Sequence, residues 1–230
     1  MTPWTQSSSS NLAVAYEKVG DLARAIPLHE VTLVNYQRVL GPDHPDTLAS
    51  RSNLADAYES AGDLGRAIPL YKQTLAERER VLGADHPDTL TSRNNVAHAY
   101  QSAGDLGRAI PLHEATLAGR ERVLGADHLS TLTSRNNLAA AYQAAGDLSR
   151  AISLTEQALT DCVRVLGPDH PRTLTSRNNL AAAYRTAGDL GRAIPLYEAT
   201  LADCERVLST DHPLTKTVRS NLAALEKRTT

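Results

Sequence analysis

NNLAAAYRTAGDLGRAIPLYEATLADCERVLSTDHP, residues 178–213, decides how this chain folds. It places Leu and Ala at helical spacing on both sides of one Gly-Asp pair, and it ends in Asp-His-Pro. The same order of residues runs through the whole sequence. Asn11, Asn53, Asn95, Asn137, Asn179 and Asn221 recur every 42 residues without insertion or deletion. Gly20, Gly62, Gly104, Gly146 and Gly188 do the same, each followed by Asp and Leu. The chain is five repeats and one further copy of the first half, and a fixed period of this length is the mark of a stacked repeat architecture.

Each repeat reads as two helices. In the second, Leu48, Leu54, Ala55 and Tyr58 form one stripe, and Pro45 is a suitable first helical residue with Asp46 near the positive end of the dipole. Gly62 is the expected C′ glycine, and Asp63 caps the following helix. The apolar stripe of that helix reads Leu64, Ala67, Ile68, Tyr71, Leu75, Arg78 and Leu82, and Gly83 ends it. Pro27, Pro69, Pro111 and Pro195 fall in its second turn, where proline removes a hydrogen bond, so a slight bend or a late start is expected there.

The composition narrows the class. The 230 residues carry a net charge of −2, which gives no field that would favour nucleic acid or an anionic membrane. Phe is absent, Trp4 is the single Trp, and Ala supplies much of the apolar content, which suits closely packed helices. No apolar run approaches the roughly 20 residues of a membrane span. The N-terminal MTPWTQSSSS has neither region of a signal peptide. Cys162 and Cys204 occupy equivalent places in adjacent repeats, about two interhelical spacings apart, too far for a bridge. They read as free thiols, consistent with a cytoplasmic location.

The chemistry-bearing residues are Asp43-His44, Asp85-His86, Asp127-His128, Asp169-His170 and Asp211-His212. A zinc site needs three or four ligands about 2 Å from one ion. Adjacent copies in a stack of helix pairs lie about 20 Å apart. The pairs therefore read as polar turns that serve the next helix, and no metal or other cofactor is expected. No Walker A loop, G-x-S-x-G, H-E-x-x-H or C-x-x-C is present, so no enzyme is expected. His29 and His113 replace Tyr71 and Tyr197 in the second-helix stripe and read as packed side chains.

With its small residues, Tyr, Gly and paired Ala, the 178–213 stretch resembles the tetratricopeptide repeat. The 42-residue period and the LGxDHP ending resemble the longer variant of kinesin light chain, which is common in bacterial signalling proteins, often larger ATPases. The resemblance implies an all-α, right-handed superhelical solenoid of antiparallel helix pairs. Residues 1–8 would be a disordered or frayed N-terminus, 9–212 five repeats, and 213–230 a capping helix. In the cap, Glu226 replaces the tyrosine that would pack on a following repeat, and the serines Ser7 to Ser10 should fray the first helix. Arg51, Arg93, Arg135 and Arg177 depart from the family pattern, which carries an aromatic or aliphatic residue there.

In such a solenoid the first helices line the concave face. Thr91, Asn95, His98 and Ser102 share one side of a first helix. In the family, an asparagine before the helix leucine contacts bound peptide. That role maps to Asn53, Asn95, Asn137 and Asn179, with Asn94, Asn136 and Asn178 alongside, and His98, Gln143 and Arg185 complete the row. The alternative role for the asparagines is structural, linking neighbouring helices. Glu17, Asp56 and Glu59 make the first repeats negative; Arg185, Lys227 and Arg228 make the last positive. The function expected is binding of a protein or peptide segment in the groove, with no nucleic acid or membrane partner. The alternative is a self-assembling scaffold or oligomerisation module, such as the sensor or regulatory part of a larger signalling ATPase.

Overall fold

The computed structural model describes the backbone of residues 3–229 and the side chains of residues 11–225. Among the described residues every regular element is an α-helix and there is no strand. The helices are α1 (Pro3–Lys18), α2 (Leu22–Leu40), α3 (Pro45–Ser60), α4 (Leu64–Leu82), α5 (Pro87–Ser102) and α6 (Leu106–Leu124). They continue with α7 (Leu129–Ala144), α8 (Leu148–Leu166), α9 (Pro171–Thr186), α10 (Leu190–Leu208) and α11 (Pro213–Thr229). The chain forms two compact units, Met1–Gly119 and Arg120–Thr230. In each, a helix packs against the helices before and after it in sequence: α1 to α5 in the first unit, α7 to α11 in the second. Helix α1 begins at Pro3 and so includes Ser7 to Ser10, and the expectations for the side chains of Glu226, Lys227 and Arg228 fall outside the described residues.

Two turn types alternate, and both follow from the local sequence. Within a repeat, Gly62 takes φ +77°, its N–H donates to Glu59 O at 2.9 Å, and Asp63 N–H donates to Tyr58 O at 2.8 Å. This is the Schellman closure that a glycine permits. Asp63 then caps α4 by accepting from Arg66 N at 3.0 Å, and it also accepts from Arg66 Nε. The same guanidinium lies 4.1 Å from the centre of the Tyr58 ring. The arrangement recurs with Arg24 over Tyr16, Arg108 over Tyr100, Arg150 over Tyr142 and Arg192 over Tyr184. The Tyr58 hydroxyl donates to Glu30 on α2, so it reaches back to the preceding repeat.

Between repeats, the Asp-His pair does the work of a cap. His44 Nδ1 accepts from Asp46 N at 3.2 Å, and His86, His128, His170 and His212 form the same bond in the later turns. Buried Thr47 closes the loop by donating to Gly41 O at 2.8 Å. The aspartates reach the second helix of the next repeat: Asp43 pairs with Arg80, Asp127 with Arg164 at 2.6 Å, and Asp169 with Arg206 at 2.5 Å. These exposed pairs fix the register between successive repeats more than they stabilise it.

The prolines break nothing. Helix α4 runs from Leu64 through Pro69, so the late start drops out. Pro69 cannot donate to the carbonyl of Gly65, one turn back, yet the helix continues to Leu82. The second-helix stripe differs from its sequence reading: Ala67, Tyr71 and Thr74 are buried, whereas Leu82 is exposed. Thr74 is admitted because its hydroxyl donates to Leu70 O at 2.9 Å. Small residues at the crossings (Ala55, Ala57, Ala67, Ala97 and Ala99, all 0% exposed) let the helices approach closely.

The unusual arginines are structural. Arg51 is 1% exposed and pairs with Glu77 on α4. Arg135 pairs with Asp161 and with Glu121 (2.7 Å), and Arg177 with Asp203 (2.5 Å). Arg93 lacks the matching acid because Gly119 stands in its place, and it turns instead to Glu79 at 2.8 Å. A Cβ on Gly119 would meet Leu90 Cδ2 at 2.6 Å, so the glycine is held by contact with a fully buried leucine. Cys162 and Cys204 are free and buried, and burial raises the Cys204 thiol above its ordinary range.

Candidate functional site

Within each unit, clefts between neighbouring first helices collect most of the residues read as groove-forming. In the first unit a cavity of about 340 Å³ lies between α3 and α5 and is floored by α4. Its lining is Asp56, Glu59, Ser60, Tyr71, Asn94, Asn95 and His98. In the second unit a smaller cavity of about 110 Å³ lies between α7 and α9. Asn136, Gln143, Asn179 and the floor residue Thr155 of α8 are among its walls. Six of the ten residues expected in the groove are thus brought together in two places.

The first cavity is built on a buried tyrosine. Tyr71 is 2% exposed, and its hydroxyl contacts both Asp56 and Glu59, the latter at 2.9 Å. One phenolic proton serves two carboxylates. Burial pushes the Asp56 carboxyl up, against the Tyr71 hydrogen bond and with help from Glu17 and Glu59, so it holds a proton more readily than an ordinary aspartate. Burial also pushes Glu59 up, but hydrogen bonds from His98, Tyr71 and Ser102 outweigh it, and Glu59 titrates below its ordinary range. His98 Nδ1 lies 2.8 Å from Glu59 Oε1, and that contact holds the imidazole proton more tightly. Beyond it, His113 is 1% exposed, meets Gln101 at 3.2 Å, and is lowered to about 4 by burial and by the nearby His98. Both His29 and His113 are packed side chains, His29 lying 3.5 Å from Glu17.

The other expected residues are placed differently. Asn136 donates to Leu132 O at 3.3 Å and to Ser176 Oγ at 3.1 Å, joining α7 to α9. Asn178 is 8% exposed and accepts from Asn221 of α11 at 3.1 Å. Gln143 donates to Thr186 Oγ1 at 2.8 Å. These three amides therefore link neighbouring first helices, the alternative role considered for the asparagines. Asn53 and Asn137 are half-buried on α3 and α7, and Arg185 is half-buried on α9. The Tyr71 position was read only as part of a packing stripe. Its tie to acids 15 and 12 residues upstream is particular to this repeat, since the same offsets from Tyr197 give Ala182 and Arg185.

A second kind of surface lies on the other side of the helix pairs. Cavities of about 420 and 440 Å³ open between successive second helices, one of about 480 Å³ is lined by α9 and α10, and all three are mostly apolar. The three share one lining: the Tyr–Arg stack, the glycine, and the in-helix proline. Among the described residues no three His, Cys, Asp or Glu side chains converge as a metal site would need. No helix among them is long and apolar enough to cross a membrane.

Comparison with known proteins agrees with this architecture. Family models described as Tetratricopeptide repeat match residues 4–79, 65–122 and 93–162, and a second such model matches 173–214. Among solved structures, the protein is similar to a kinesin-light-chain-like protein of Podosopora anserina with nearly identical TPR-like repeats. The identity is 33%, the coverage 90% of this chain and 98% of that one, and the TM-score 0.77. BtubC (BKLC) of P. vanneervenii shares the fold at 24% identity, with 90% and 82% coverage and a TM-score of 0.74. So does a Rap protein complexed with Competence and Sporulation Factor, at 12% identity, 94% and 63% coverage and a TM-score of 0.69. The sequence matches no curated protein. With stacked helix pairs, the Gly-Asp turn and matches over most of its length, the chain belongs to the tetratricopeptide repeat family.

Proposed function

We propose that the protein is a non-enzymatic binding module that holds an extended segment of a protein partner in the clefts between its first helices. The observation that carries this reading is the pair of clefts that gather Asn94, Asn95 and His98 in the first unit and Asn136, Gln143 and Asn179 in the second. An asparagine amide offers both a donor and an acceptor, which is what a peptide backbone asks for. Asn53, Asn137 and Asn178 extend the row, and Arg185 adds a cation to the second unit. In the first unit Asp56 and Glu59 favour a basic group on the bound segment. A Rap protein of the same fold is complexed with Competence and Sporulation Factor, which supports the use of such a scaffold for capture. Each asparagine–backbone bond contributes about 0.5–1.5 kcal/mol net, so a handful gives affinity of about micromolar order after the cost of ordering the segment.

The test is selection of random displayed peptides on the protein, followed by fluorescence titration of the recovered sequences. Asn95→Ala and Asn179→Ala should each weaken binding several-fold with helicity unchanged. Recovered peptides that bind both variants as tightly as the parent would show that these asparagines are purely structural. Self-association is the second reading, and the apolar cavities between second helices, with Val34 of α2 61% exposed beside one of them, favour it. Light scattering across a concentration series distinguishes it: a mass that stays at one protomer leaves only the first reading.

A further inference from the structure

The cavity of about 440 Å³ between α4 and α6 departs from the repeat pattern at one charged residue. Tyr58 and Tyr184 donate their hydroxyl protons to Glu30 and Glu156, each on the second helix of the preceding repeat. The same register holds Glu114 and Glu198, but in the second repeat it holds Lys72. Tyr100, whose acceptor would stand there, has lost it. Its hydroxyl accepts from Arg108 Nη1 at 3.3 Å and donates to nothing among the described residues, although Tyr100 is only 6% exposed.

The exchange gives this cavity an apolar body and a cationic mouth. Leu75, Val96 and Leu112 supply apolar wall, and Ala76 stands where the cavity between α2 and α4 has the larger Val34. Lys72 is exposed in the lining and makes no ion pair among the described residues. The acid in the lining, Glu79, is already paired with Arg93 at 2.8 Å. Arg108 is fixed by donating from Nε to Asp105 at 2.5 Å and by its stack on the Tyr100 ring at 4.2 Å, so this wall is formed before any ligand arrives. A mostly apolar cavity of several hundred cubic ångströms with a few converging polar groups has the form of a small-molecule site. A phenol proton without an acceptor and an ammonium without a partner both call for an anionic oxygen.

We propose that the cavity between α4 and α6 binds a small amphipathic carboxylate, whose apolar tail lies against Leu75, Val96 and Leu112 and whose carboxylate accepts from the Tyr100 hydroxyl and pairs with Lys72. The ligand's carboxylate takes the place of the glutamate that the other repeats carry. The site lies on the other side of the helix pairs from the clefts between first helices and does not depend on what those clefts hold. The cavity between α2 and α4 refuses the same ligand, because Glu30 already holds the Tyr58 proton and would face the incoming carboxylate with like charge.

The experiment titrates the intact protein, labelled with 13C at its Val and Leu methyl groups, with octanoate, with neutral octanamide, and with an acetylated, amidated Leu-Glu peptide. The Val96 signal is assigned with Val96→Ile, and the Val34 signal with Val34→Ile. Octanoate should shift the Val96 signal saturably and bind about tenfold more tightly than octanamide, while the Val34 signal stays in place. Lys72→Glu restores the glutamate of the other repeats and Tyr100→Phe removes the phenol proton. Each should erase most of the tenfold preference and leave octanamide binding and helical content unchanged. Glu30→Lys should create the same site one period earlier, so that octanoate now also shifts the Val34 signal. Equal binding of octanoate and octanamide overturns the carboxylate assignment, and an unmoved Val96 signal at millimolar octanoate overturns the site. A Leu-Glu peptide that binds there more tightly than octanoate also overturns the proposal, because the occupant is then a pair of side chains from a protein partner.

Discussion

Replacing Ser209 by glycine should make the protein more stable. Ser209 closes α10 with φ 89° and ψ 161°, a region of backbone space used almost only by glycine. The matching positions are Gly41 (φ 89°, ψ 166°), Gly83 (φ 90°, ψ 160°) and Gly167 (φ 86°, ψ 164°), so the loop demands this conformation repeat after repeat. It demands it because the residue's carbonyl must face the threonine of the next helix: Thr215 donates to Ser209 O at 2.8 Å, as Thr173 does to Gly167 O. A side chain held there costs about 1–3 kcal/mol. Glycine gives back about 0.5–1 kcal/mol through the greater freedom of its unfolded state. The net gain is about 1 kcal/mol, a rise in melting temperature of roughly 2–4 °C for a protein of this size. The assay is thermal and urea unfolding followed by circular dichroism, with Gly167→Ser as the reciprocal variant, which should lose about the same amount. A Ser209→Gly protein no more stable than the parent, beside a Gly167→Ser protein that is undiminished, would refute the strain argument.

Acid should destabilise the first unit through His113. Its folded value of about 4 lies below the ordinary 6.5, so the stability of the neutral imidazole is fully present above pH 6.5 and is lost as pH falls toward 4. At about pH 4.5 the loss amounts to about 2.5 kcal/mol. His113→Tyr, which installs the side chain found at Tyr71 and Tyr197, should flatten the pH dependence by that amount relative to the parent, measured by urea unfolding; parallel curves would contradict it. Arg51→Met should cost about 3 kcal/mol because Glu77 is left without its cation, and adding Glu77→Gln should recover most of it. A double variant as unstable as the single one would count against the pairing. Deleting residues 172–213 removes one full period and should leave a shorter, cooperatively melting helical protein, because repeat stability is a sum over units and interfaces. Loss of all helical signal would count against that additivity.

The sequence by itself determined the elements. A strict period, a glycine at each helix end, an aspartate after it and alternating apolar stripes are local signals, and backbone sterics and capping act within a few residues. They sufficed to place all the helix pairs, the Asp63 caps and the family resemblance. The Asp-His pairs were legible as turns for the same reason, although their division of labour, His44 capping its own helix and Asp43 reaching Arg80, was not. What only the tertiary structure decided is which side chains end up enclosed together. Arg51 looked like a departure from pattern until α4 brought Glu77 to it, 26 residues on. The bonds that join Asn136 to Ser176 and Asn178 to Asn221, 40 and 43 residues away, were likewise invisible until the helices were packed. Tyr71 and Tyr197 are the same letter at the same register. What separates them is what the packed first helix offers each hydroxyl: two carboxylates beside Tyr71, and no hydrogen-bond partner among the described residues beside Tyr197, with burial removing the water that would otherwise make the two alike.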